Sequence, residues 1–126
     1  MFKICTSVVV SALFAISATS AIANEKNDEA MKKIASTAGC FTCHSIEPKP
    51  ANEGMKPIGP AWKDVAVRYK GDKKAEKHLV GLVLEGSSPY GRHWKEQTSG
   101  VAMPPNAVAI SEADTKKLVK WILALK

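Results

Sequence analysis

The chain is expected to fold as an all-α protein, and three observations carry that expectation. Four segments place apolar residues at helical spacing, no stretch alternates apolar and polar residues as a half-buried strand does, and glycine and proline punctuate the connections. The first face consists of Met31, Ile34, Ala35 and Ala38, at i, i+3, i+4 and i+7; Asn27 or Asp28 can cap this helix and Gly39 stops it. A second, short helix is expected over residues 62–70, after Pro60. A third carries Ala75, Leu79, Leu82 and Val83 and ends at Gly86, a residue type suited to a helix C-terminus. The fourth opens at Ser111-Glu112-Ala113-Asp114, a capping-box pattern with Asp in place of the usual Glu, and lines Leu118, Trp121, Ile122 and Leu125 along one face. Between them lie two long loops, 45–58 with Pro48, Pro50, Gly54 and Pro57, and 87–105 with no apolar period.

Residues 1–23 have the character of a secretory signal rather than of the fold. A single basic residue, Lys3, precedes an apolar and small-residue run from Ile4 to Ser17, and Ala21-Ile22-Ala23 supplies a cleavage pattern before Asn24. The run is shorter than the ~20 residues a spanning helix needs, so no stable membrane insertion is expected. Residues 24–126 then form one domain of 126 − 23 = 103 residues. Export places the chain in an oxidising compartment outside the cytoplasm.

Cys40-Phe41-Thr42-Cys43-His44 is the stretch that carries chemistry. Two thiols three positions apart, followed at once by an imidazole, form the attachment pattern of c-type haem: the thiols add across the two vinyl groups and the His reaches the iron. A zinc site requires a second Cys/His pair downstream. The only other cysteine, Cys5, lies in the signal, and His78 and His93 are too far apart for such an arm. A thioredoxin-like pair requires a βαβ surround, which is missing. One covalent haem therefore fits best, and its burial would supply much of the core that a domain of this size lacks; the apoprotein is expected to be poorly folded.

The formal net charge is +6, and removal of Lys3 with the signal leaves +5. No Lys/Arg run with interleaved aromatics occurs, so this balance indicates a solvated surface that meets acidic partners and no nucleic acid. Lys63, Arg68, Lys70, Lys73, Lys74 and Lys77 crowd the two middle helices. No Ser/His/Asp set and no suggestive pair of carboxylates is present, so no catalytic residues are assigned and an enzyme is not expected.

Gly39-Cys40-Phe41-Thr42-Cys43-His44, Ile58-Gly59-Pro60-Ala61 leading into Asp64-Val65-Ala66 and Tyr69, Ala102-Met103-Pro104-Pro105-Asn106, and Trp121-Ile122 in the last helix follow one another in order. Together they resemble the small bacterial monohaem class I cytochromes c, over essentially the whole of residues 24–126. The resemblance implies about four helices wrapped around one covalently attached haem, with His44 and Met103 as axial iron ligands. A thioether favours reduced iron, and His/Met coordination raises the potential relative to two imidazoles; Pro104 and Pro105 stiffen the Met103 loop. His93 is the competing ligand in the same loop but lacks the motif. The resemblance also implies that the Pro60 carbonyl orients His44, that Asn106 lies beside the Met103 sulfur, and that Trp94 reaches a haem propionate. Residues 95–100 and the 45–58 loop are longer than in the shortest members of the family. Met31 and Met55 are expected as core filler, Trp62 and Trp121 as core, and His78 on a helix surface.

The function expected from these residues is one-electron transfer between a donor and an acceptor protein of a respiratory chain. A second reading is the haem c subunit of a periplasmic dehydrogenase, oxidising sulfite or an alcohol for instance. A third, a peroxidase or gas sensor, requires an open axial position, against which the Met103 loop argues.

Overall fold

The computed structural model describes residues 16–49, 55–91 and 93–126, with side chains from residue 24 onward. Helix α1 spans Ile16–Thr37, a single 3-10 turn covers Cys40–Thr42, and α2, α3 and α4 span Trp62–Arg68, Ala75–Glu85 and Glu112–Leu123. There is no strand among the described residues. The four expected helices are present, and α4 is the hub against which α1, α2 and α3 all pack.

Three expectations need correction. The first helix begins at Ile16, twelve residues before the Asp28 expected near its start, because residues 16–27 contain neither glycine nor proline and nothing in them stops the helix. Asp28 is therefore not a cap; its Oδ1 accepts from Trp121 Nε1 at 2.7 Å and ties α1 to α4 across the molecule. Met55 is 68% exposed and fills no core. The expected signal covers residues 1–15, outside the described residues, and residues 16–23, which are helical; its boundary after Ala23 falls within α1.

The core joins Met31 and Ala35 of α1, Trp62 and Val65 of α2, Ile110, and Leu118, Trp121 and Ile122 of α4. The Trp62 and Trp121 rings meet edge to face at 5.8 Å, an arrangement favoured by the aromatic quadrupole. At the start of α4 the Ser111 hydroxyl accepts the Asp114 amide at 3.1 Å, which caps the helix, and donates to Asp114 Oδ2 at 3.0 Å, so the Asp in the fourth position turns back to the cap's hydroxyl. Thr115, fully buried, donates its hydroxyl to the Ser111 carbonyl. At the end of α3, Gly86 adopts φ 82° and ψ 173°, a region of the backbone map open essentially only to glycine.

Candidate haem site

Gly39, at φ 74°, turns the chain out of α1 and into the 3-10 turn that carries Cys40. This turn presents both thiols on one short segment: the Cys43 and His44 amides both bond the Cys40 carbonyl. The two cysteines are free and half-buried, and burial pushes the Cys40 thiol up from its ordinary value. The segment is then clamped to α2, since the amides of Trp62 and Lys63 donate to the carbonyls of Ser45 and Ile46.

His44 is held from three sides. Its Nδ1 lies 2.8 Å from the Pro60 carbonyl, which makes that nitrogen the protonated one and leaves the Nε2 lone pair as the ring's only donor to a metal. Its ring stacks on Trp62 with centroids 6.0 Å apart. Gly59 is buried behind it, and a Cβ there would stand 2.7 Å from His44 Cε1 and 2.9 Å from Nδ1. Burial lowers the His44 pKa, opposed in part by the Pro60 carbonyl, so the imidazole is neutral at pH 7. A neutral ring with one fixed N–H and one open lone pair is what an iron ligand requires.

Met103 lies half-buried in the loop after α3. Its amide accepts no freedom of position: it donates to Ser87 Oγ at 2.8 Å, and the Ser87 amide donates back to the Met103 carbonyl at 2.9 Å. A Cβ on Gly86 would come within 2.9 Å of that carbonyl and of Pro105 N. Asn106 is anchored to α3 through its amide, which donates to Val83 O at 3.0 Å, while its Nδ2 donates to Pro104 O at 2.7 Å. Trp94 is half-buried against the core and lies under the Arg68 guanidinium, 4.9 Å from the ring centroid. His93 is exposed and faces His78.

The two long loops meet. Ser99 and Gly100 donate their amides to the carbonyls of Pro57 and Ile58 at 2.8 and 3.0 Å, and the Ser99 hydroxyl reaches Lys56 O and Pro57 O. A Cβ at Gly100 would run into the Ile58 carbonyl oxygen. Residues 95–100 therefore brace the segment that leads into Gly59 and Pro60. The close approaches at Gly59, Gly86 and Gly100 and the Ser87 pair carry no periodic signal, and sequence reasoning did not single them out.

These residues fit a covalently held haem: free thiols at the required spacing, an imidazole with one nitrogen fixed and one open, and apolar side chains left partly uncovered beside them, among them Phe41 at 38% and Ile58 at 52% exposure. Among the described residues no three His, Cys, Asp or Glu side chains cluster as a metal site. The cytochrome c family model matches residues 29–126. The chain belongs to the cytochrome c family. It is 41% identical over 92 residues, 73% of its length and 82% of the relative's, to cytochrome c-551 of Allochromatium vinosum. Over 93 residues it is 38% identical to cytochrome c-552 of Nitrosomonas europaea, covering 74% of this chain and 76% of the relative. The crystal structure of wild-type Nitrosomonas europaea cytochrome c552 superposes with a TM-score of 0.59 at 37% identity, over 75% of this chain and 99% of that one. As a small monohaem class I cytochrome c, the chain carries one covalent c-type haem, with Cys40, Cys43 and His44 in the attachment arrangement. Its relatives are electron-carrying cytochromes rather than enzymes.

Proposed function

We propose that this cytochrome c is a periplasmic carrier of single electrons between a donor and an acceptor protein of a respiratory chain, exported by a signal at residues 1–23. Haem supplies the one-electron iron couple; the residues of the chain hold it, set its potential and present it to partners. Cys40 and Cys43 are its covalent attachment points, His44 and Met103 the axial ligands, and Pro60, Asn106 and Trp94 the neighbours that orient or tune them. The observation that carries this reading is the fixed His44 ring, with Nδ1 on the Pro60 carbonyl at 2.8 Å and Nε2 left open. Support for Met103 comes from its reciprocal bonds with Ser87 and from the Asn106 tether, which hold the loop at both ends. With His44 and Met103 both holding the iron, no position would remain for a substrate, and transfer through the haem edge would need none. No helix among the described residues is long and apolar enough to cross a membrane.

The axial assignment is tested by Met103→His, which is expected to keep a low-spin haem and lower its potential, since an imidazole favours oxidised iron more than a thioether does. His93→Ala is expected to leave the spectrum unchanged. Loss of the weak far-red band of the ferric protein in His93→Ala, with retention in the Met103 variant, would reverse the assignment. Size exclusion of the protein from its native periplasm distinguishes a free carrier, which runs alone, from a dehydrogenase subunit.

A further inference from the structure

His78 and His93 stand fifteen positions apart in sequence, yet their rings meet edge to face with centroids 6.5 Å apart. Both side chains are exposed, and neither is used by the electron-carrying site. His78 is fixed by α3 and flanked by the Tyr69 ring at 6.1 Å. His93 immediately precedes Trp94, whose ring is held between the core and Arg68, and whose carbonyl accepts from the amides of Gln97 and Thr98. Two imidazoles from separate, independently anchored segments thus lie edge to face beside one another at the surface.

We propose that His78 and His93 form a two-imidazole chelating site for a divalent, nitrogen-preferring transition ion such as Zn2+, with solvent completing the coordination. The geometry is close to what such an ion needs. With Zn–N bonds of about 2.0–2.1 Å and a tetrahedral angle, the two ring centroids stand about 5 Å apart, so the exposed rings close by about 1–1.5 Å through side-chain rotation. Lys73, Lys74 and Lys77 border the trench of about 590 Å3 that His78 shares with Glu85. Within that trench three ammonium groups oppose an approaching dication and the Glu85 carboxylate favours it. Oxygen-seeking Ca2+ and Mg2+ have nothing here to offset that repulsion, whereas a ring nitrogen binds zinc, copper and nickel by donor preference rather than by charge. The inference rests on Met103 rather than His93 holding the iron.

The test is calorimetric titration of ferric holoprotein with Zn2+, an ion that takes no electron from haem, with the haem spectrum of every variant recorded alongside. Phenylalanine replacements keep a packing ring and remove the donor. One Zn2+ per chain is expected, and His78→Phe and His93→Phe are each expected to weaken binding by at least about 10-fold, because the second donor acts at the high effective concentration of a tethered group. The double variant should bind at least as weakly as either single one, and Ca2+ should give no heat. Zinc affinity unchanged in either single variant, or wild-type affinity no tighter than that of the double variant, overturns the site. A haem spectrum altered by His93→Phe would signal instead that the iron assignment has failed, and the unaltered zinc response of His78→Phe or its loss still decides the chelate.

Discussion

At the scale of single residues, the attachment cysteines and His44 were legible because their chemistry depends on residue type and short spacing, both of which a sequence displays, whereas Met103 was proposed through the resemblance that Ala102-Met103-Pro104-Pro105-Asn106 carries. Gly59 was legible only as part of the Ile58-Gly59-Pro60-Ala61 stretch that carries the resemblance. Its requirement arises from a close approach in space: any Cβ there meets the His44 ring at 2.7 Å. Gly59→Ala is therefore expected to destabilise the holoprotein by about 1–3 kcal/mol, as overpacking of a tight site does, and to disturb the His44 to Pro60 bond. Thermal unfolding of the ferric protein checks the first effect, and the pyrrole and imidazole proton shifts of the reduced protein check the second; an unaltered Tm would show that the ring can give way without loss. Asp28 illustrates the opposite failure of sequence reasoning. Its residue type suits a helix cap, but its partner lies 93 positions away on α4, and no local pattern announces such a pair.

At the scale of elements, the apolar period located α2, α3 and α4 to within a few residues, because one face of each must be buried. Helix ends were legible where a specific cap acts. The Ser111 cap is one: its hydroxyl both receives the Asp114 amide and donates to the Asp114 carboxylate. Hydrogen bonding from Lys117, then from Ser111, with the Lys117 charge, lowers the Asp114 pKa below its usual 3.8. A carboxylate depressed in the folded state stabilises fully above its unfolded pKa, and that contribution fades as pH falls through the folded value. Ser111→Ala is expected to lower Tm by a few degrees at pH 7, in line with about 1 kcal/mol for a lost cap. The difference from wild type should shrink below pH ~3.8, where protonation of Asp114 removes its own share. Thermal scans across pH 2–7 read both effects; an equal Tm difference at every pH would separate the carboxylate from the cap. The start of α1 was not legible, since a helix with no breaker in its path has no chemical reason to stop.

At the scale of the whole molecule, the excess of basic residues was plain in the sequence, while its placement depended on the fold. Lys73 and Lys74 are exposed at the start of α3, and Lys63 instead pairs with Glu47. If the α3 end steers encounter with an acidic partner, reversal of Lys73 and Lys74 to Glu is expected to lower the association rate and flatten its salt dependence, since exposed charges are screened over ~8 Å at physiological ionic strength. The haem potential should change little. Stopped-flow electron transfer at several salt concentrations measures this, and a rate indifferent to both salt and charge reversal would place docking on apolar contacts. The loops contributed what the sequence concealed most completely: residues 45–58 and 87–105 have no period, yet the amides of Ser99 and Gly100 bond the carbonyls of Pro57 and Ile58. The segment that leads into Gly59 and Pro60 and the segment that leads to Met103 are joined there by main chain. They should accordingly open together, as one cooperative unit in native-state hydrogen exchange: the amides of Gly59, Ser99 and Gly100 are expected to exchange with a common opening free energy, and Gly100→Ala, whose Cβ collides with Ile58, to lower all three at once.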